Sequence, residues 1–202
     1  MIYTTQMLMN KYREYTNPKS KIKRLCNEGK LIHVCHGLYE DDKNVEPCYL
    51  HSYIYGPSYI SFAYALSEYG LIPEFGVNIT CATFNKEKKK MYKNDYGVYI
   101  YKDVPKKVFQ YGVKKIIIDG YSYNIASPEK ALCDYISTRY QANSLDDFKT
   151  YLFDDLRINE DEFMKLDFKY ILEFAHLYKK KNTNYLIELI KKEMIQWFIM
   201  IL

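Results

Sequence analysis

At 202 residues the chain suits one large domain or a small module joined to a medium one. Hydrophobic residues make up 48% and charged residues 27%, enough to bury a core. The strongest apolar run, Trp197 to Leu202, is far short of the roughly 18 residues that span a bilayer, and no basic-then-apolar leader opens the chain. The expectation is therefore a cytoplasmic protein with no membrane partner. Cys26, Cys35, Cys48, Cys81 and Cys133 form no C-x-x-C pair, which argues for free thiols and against a disulfide framework.

The net charge of +4 conceals segregation. Residues 1–39 carry net +5 and residues 40–85 net −5, while 86–115 carry +7, 116–178 carry −6 and 179–202 carry +3. Abundant Lys and 23 Tyr also fit AT-rich coding, so composition alone means little. The segregation says more: two basic blocks between acidic ones suggest a localised surface for a polyanion.

In chain order, Thr4 or Thr5 can cap a helix to about Tyr15, with Met7, Leu8, Tyr12 and Tyr15 on one stripe. Asn17-Pro18 places a cap before a proline at the first helical position, and Gly29 suits the stop of a second helix ending near Glu28. Leu31–Cys35, the His36-Gly37 turn and Leu38-Tyr39 read as a small hairpin. Two helices and a two-stranded wing are the layout of a compact winged helix. Glu40–Pro47 reads as a linker, which divides the chain into a DNA-binding module, 1–45, and a mixed domain, 46–202.

Beyond the linker, Cys48–Tyr55 and Ser58–Tyr69 read as helices, Val77–Thr83 and Tyr96–Tyr101 as strands. Lys114–Ile118, Asp119-Gly120 and Tyr121–Ile125 form the clearest hairpin, because Asp-Gly suits a type I′ turn. Ser127-Pro128-Glu129 opens a helix to about Arg139, and further helices start at Ser144, Asn159, Asp167 and about Thr183. The fold class is α+β: an N-terminal winged helix-turn-helix, then a small β-sheet and several C-terminal helices.

The helix Pro18–Glu28 carries the chemistry. Helical periodicity gathers Ile22, Leu25 and Cys26 on the core side and leaves Ser20, Lys23, Arg24 and Asn27 opposite, with Lys19 and Lys21 on the flanks. Lys and Arg reach phosphates or guanine edges, and Asn and Ser read base edges or phosphates. DNA contact is the reading, against an ordinary solvated face as the bland alternative. His36, in the wing turn with His33 nearby, would sit beside the groove. Lys86, Lys88, Lys89, Lys90 and Lys93 form a second basic patch.

Other chemistry is thinner. Among His33, Cys35, His36, Cys48 and His51, only Cys48-x-x-His51 approaches a zinc ligand pair, so no metal and no cofactor is expected. Pro73-Glu74 followed by Glu87-Lys88-Lys89 formally matches a metal-dependent nuclease pattern, but Glu87 sits within KEKKK, where a solvated loop is simpler. No phosphate-binding loop, dinucleotide fingerprint or nucleophile elbow is present, and the expectation is a protein that is not an enzyme.

Four segments resemble the AbiEi family of antitoxins of type IV toxin–antitoxin systems. They are Lys21–Tyr39 (KIKRLCNEGKLIHVCHGLY), Gly56–Glu74 (GPSYISFAYALSEYGLIPE), Ile79–Thr83 (ITCAT) and Ile125–Asp134 (IASPEKALCD), in the family's order. The resemblance implies an N-terminal winged helix that represses its own operon through promoter DNA. It also implies a C-terminal domain that neutralises a nucleotidyltransferase-like toxin, without requiring a stable complex. This chain departs from the family in a short N-terminal helical part and a His-Gly wing turn. Within Ser127–Asp134 the residue-level reading is structural: Pro128, Ala131, Leu132, Tyr135 and Ile136 start and pack a helix, with Lys130 or Asp134 at the surface. The tail Met194–Leu202 is expected to be buried, within the chain or across a homodimer.

Overall fold

The structure, a computed structural model, describes residues 1–73, 78–118 and 120–201, the last seven of these by backbone alone. Near the N-terminus, β1 (Ile2–Thr4) runs into α1 (Thr5–Lys11), whose cap is the Thr4 hydroxyl, accepting from the Met7 amide at 3.2 Å. The helix expected to reach Tyr15 stops at Lys11, because the chain must turn before the next cap. Asn17 supplies that cap, its side chain accepting from the Ser20 amide at 3.1 Å. Pro18 sits at the first position of α2 (Pro18–Asn27), where its missing N–H costs nothing.

The hairpin β2 (Ile32–Cys35) and β3 (Leu38–Glu40) forms as expected, with a register irregularity between His33 and Cys35. β1 adds to it, pairing Tyr3 with Tyr39, so the sheet has three antiparallel strands in the order β1-β3-β2. Three residues are too few for a legible alternation, which is why β1 escapes the sequence pattern. Leu8, Ile22, Leu25 and Leu31 form a small core here.

The expected linker is corrected at its first residue. Glu40 ends β3, is fully buried, and accepts from the Asp41 and Asp42 amides and from the Tyr121 hydroxyl at 3.0 Å. Val45 lies in the main core together with Val34 and Leu38, so the hairpin and the residues after it share one hydrophobic cluster with the rest of the chain.

The larger sheet is mixed and six-stranded, in the order β6-β7-β5-β4-β9-β8. β5 (Asn78–Thr83) pairs parallel with β7 (Gly97–Asp103), and β4 (Tyr59–Ile60) pairs parallel with β9 (Tyr121–Ala126). β6 (Lys90–Asn94) and β8 (Val113–Ile118) are its antiparallel edges. Two expectations shift here. Cys48–Tyr55 becomes a 3-10 turn, Pro47–Leu50, followed by the short α3 (His51–Ile54). Ser58–Tyr69 is split, because Tyr59 and Ile60 pair with Ala82 and Cys81 before α4 (Phe62–Glu68) begins. The β8–β9 hairpin stands where expected, although Asp119 of its turn lies outside the described residues.

The C-terminal helices keep their expected caps. Ser127, Ser144, Asn159 and Asp167 each accept a backbone amide at the start of α5 (Pro128–Ser137), α6 (Leu145–Thr150), α7 (Glu160–Met164) and α8 (Phe168–Phe174). α9 (Lys181–Ile201) follows, burying Leu186, Leu189 and Ile190. The fold is thus α+β, as the sequence indicates; a winged helix-turn-helix is not clearly displayed, since only the seven-residue α1 precedes α2 among the described residues. No helix among the described residues is long and apolar enough to cross a membrane.

Candidate nucleic-acid interface

α2 presents the two faces its sequence encodes. Ile22 and Leu25 are buried, whereas Lys19, Ser20, Lys23, Arg24 and Asn27 are exposed. The face holds two constraints. The Arg24 guanidinium lies 3.6 Å from the Glu28 carboxylate one turn on, an exposed pair that contributes little and yields readily to a phosphate. Lys21 is half-buried, its ammonium 4.8 Å above the Tyr15 ring, so it belongs to the flank and not the open face. His36 is exposed in the β2–β3 turn, and the His33 ring packs edge-on to Tyr39 at 5.5 Å.

The second patch is more ordered than a solvated loop. Asp103, at the end of β7, accepts from the Thr83 hydroxyl at 2.6 Å and from the amides of Lys86 at 2.6 Å and Glu87 at 2.8 Å. That carboxylate fixes the base of the KEKKK segment, where Asn85 and Glu87 both take positive φ. Lys86 is tied inward: its ammonium donates to the Gly56 carbonyl at 3.1 Å and sits 4.9 Å over the Tyr55 ring. Lys88, Lys89, Lys90 and Lys93 are exposed. The pKa of the neighbouring Lys102 ammonium is held down to about 8, chiefly by burial and in second place by repulsion from Arg139 and Lys89.

The second patch meets the β2–β3 hairpin. The Asn94 side-chain amide of β6 donates to the Val34 carbonyl of β2 at 3.0 Å, so the edge strand carrying Lys90 and Lys93 abuts the β2–β3 hairpin. Sequence spacing alone does not reveal this junction.

The residues considered for metal chemistry do not assemble. No group of three potential ligands stands together among the described residues, and His51 Nδ1 faces the Ser58 hydroxyl at 3.0 Å. Of the nuclease-like pattern, Glu74 lies outside the described residues, Glu87 and Lys89 are exposed, and the Glu87 amide donates to Asp103.

The sequence reading misses the most connected polar group. Lys130 and Asp134, expected near the surface, are fully buried on α5 and form an ion pair of 2.7 Å. Asp134 also accepts from the Tyr59 hydroxyl at 2.9 Å, the Ser61 hydroxyl at 2.7 Å and the Tyr178 hydroxyl. The sequence signal for the pair is its i,i+4 spacing on a helix that is otherwise largely apolar. The loop above is shaped to the cluster, because a Cβ on Gly112 would come within 2.8 Å of Lys130 Cβ at a φ of +59°.

No protein-family model matches this chain, and a search of curated proteins finds no match.

Proposed function

We propose that the chain is a DNA-binding transcriptional autoregulator and antitoxin of the AbiEi kind, and not an enzyme, with α1, α2 and the β2–β3 hairpin acting as a reduced winged helix. One observation carries the reading. α2 offers Lys19, Ser20, Lys23, Arg24 and Asn27 as an open face over a buried Ile22–Leu25 stripe, and it is backed by a small sheet. Such a face supplies phosphate contacts that position a duplex and side chains that read base edges. The basic patch next to the hairpin supports the same reading, since it extends positive charge from α2's module on to β6. In this reading the remaining fold neutralises a nucleotidyltransferase-like toxin, and a homodimer would allow two half-sites to be read. A repressor unconnected to any toxin would share the DNA chemistry.

The test is a titration of the chain's own promoter duplex at several salt concentrations. Binding should weaken steeply with salt, because neutralised phosphates release counterions. Affinity indifferent to salt, or equal for promoter and unrelated duplex, would contradict the reading. Co-expression with a downstream nucleotidyltransferase-like gene product examines the second half: growth should be restored by this chain.

A further inference from the structure

β4 is two residues long and meets β9 at a single pair, Ile60 with Ile125. Before that pair the chain departs through Ser58, while the far side of β9 stays closed by β8, with Lys115 opposite Asn124. A cavity of about 310 Å³ lies where the short strand ends. Its walls include Ser58, Tyr59, Phe109, Gln110, Val113 and Asn124. That volume is at the lower end of the roughly 300–1,000 Å³ typical of small-molecule sites.

The lining chemistry is specific. Phe109 and Tyr59 place ring centroids 5.0 Å apart, and Phe84 supports Phe109 from 4.5 Å. Ser58, Gln110 and Asn124 bring hydroxyl and amide groups, and an amide side chain offers a donor and an acceptor side by side. Among the described residues, no charged side chain lines the cavity. Lys115 stands opposite Asn124 in the β8–β9 register and is exposed, so it shares the Asn124 side of the strand pair, and the exposed Lys106 and Lys107 precede Phe109 in the chain. A flat, neutral, heteroaromatic group with hydrogen-bonding edges would fit inside, and an anion attached to it would fit the rim.

We propose that this cavity binds a nucleoside monophosphate, its base against Phe109 and the Gln110 and Asn124 amides, its phosphate at Lys115. Aromatic faces stack on any base, and amides pair with base edges. The site is separate from α2, so its failure would leave the DNA reading untouched.

Calorimetric titration of the full chain with AMP, adenosine and ribose 5-phosphate tests the proposal. AMP should bind saturably, and ribose 5-phosphate at least about tenfold more weakly. Gln110→Ala, a change at an exposed position with little consequence for folding, should weaken AMP and adenosine alike. Lys115→Gln should weaken AMP several-fold and leave adenosine unchanged. Absence of AMP binding at millimolar concentration would overturn the site. Equal affinity for AMP and ribose 5-phosphate would also overturn it, by reducing the interaction to phosphate on surface lysines.

Discussion

Asp134 collects one ammonium and three hydroxyls at a fully buried position, and its removal cannot be neutral. Burial, reinforced by the Asp134 carboxylate, holds the Tyr59 and Tyr178 phenols well above their usual range, so both remain donors. Asp134→Ala would leave the Lys130 ammonium buried without its counter-charge, at a cost of roughly 3–5 kcal/mol. Lys130→Met should cost less, because the carboxylate keeps three hydroxyl donors and the new side chain is apolar. Denaturant titration of the two variants checks the order; equal or reversed losses would show that the cluster is held otherwise. His51 makes a second residue-scale case. Burial holds its imidazole at about 3, against 6.5 for a free histidine. The unfolded chain therefore takes up a proton that the folded chain refuses, and stability falls as pH drops from about 6.5 toward 3. Relative to His51→Gln, the wild type should lose about 1 kcal/mol between pH 6.5 and 5.5. Parallel pH profiles for the two proteins would show that His51 protonates freely when folded.

At the scale of elements, caps were the most legible features because they are local. Asn17, Ser127, Ser144, Asn159 and Asp167 each hydrogen-bond an amide three residues on, as a cap residue before a helix should. Asn17→Ala should thus cost about 1 kcal/mol and weaken DNA binding only by fraying α2. The β8–β9 hairpin was equally legible, because the Asp119-Gly120 dipeptide is a local turn signal. β1 and β4 were not, since each owes its strand state to a distant partner, β3 for the one and β5 with β9 for the other; β6 escaped for another reason, its lysine-rich composition, although its partner β7 follows after two residues. Lys90–Asn94 shows the effect plainly, being a lysine-rich stretch that pairs Tyr92 with Tyr99 and tucks its ring near Tyr101. Exposed lysines at and beside this strand carry a further prediction. Lys88, Lys89 and Lys90 changed together to Glu should reduce nucleic-acid affinity and flatten its salt dependence, as fewer counterions are released. An unaltered salt slope would confine the interface to α2.

For the whole molecule, the two sheets are tied by long-range polar contacts: Tyr121 to Glu40, Asn94 to Val34, and Tyr96 to the Asp42 carbonyl at 2.8 Å. A sequence reading places a linker there because EDDKNVEP has the composition of one; Glu40 is buried because the Tyr121 hydroxyl of β9, the Asp41 and Asp42 amides and the Met1 ammonium satisfy it. α9 closes the other end of the core, and Leu189→Ala should cost about 2–5 kcal/mol through the cavity it leaves. Thermal unfolding reads this directly, and a change under 1 kcal/mol would mean that α9 contributes little. Of the tail expected to be buried, Met194 is partly exposed, and the side chains beyond it lie outside the described residues.

The proposed function requires that α2 face DNA. The most direct measurement is a mobility-shift titration of the chain's own promoter with the Lys23→Ala/Arg24→Ala protein, alongside its melting curve. Both side chains are exposed, and the Arg24–Glu28 pair is weak, so the melting temperature should stay near that of the wild type. Promoter affinity should fall by tenfold or more, the scale of losing roughly 1–3 kcal/mol of phosphate and base contacts. Unchanged affinity with an unchanged melting temperature would contradict the assignment of α2.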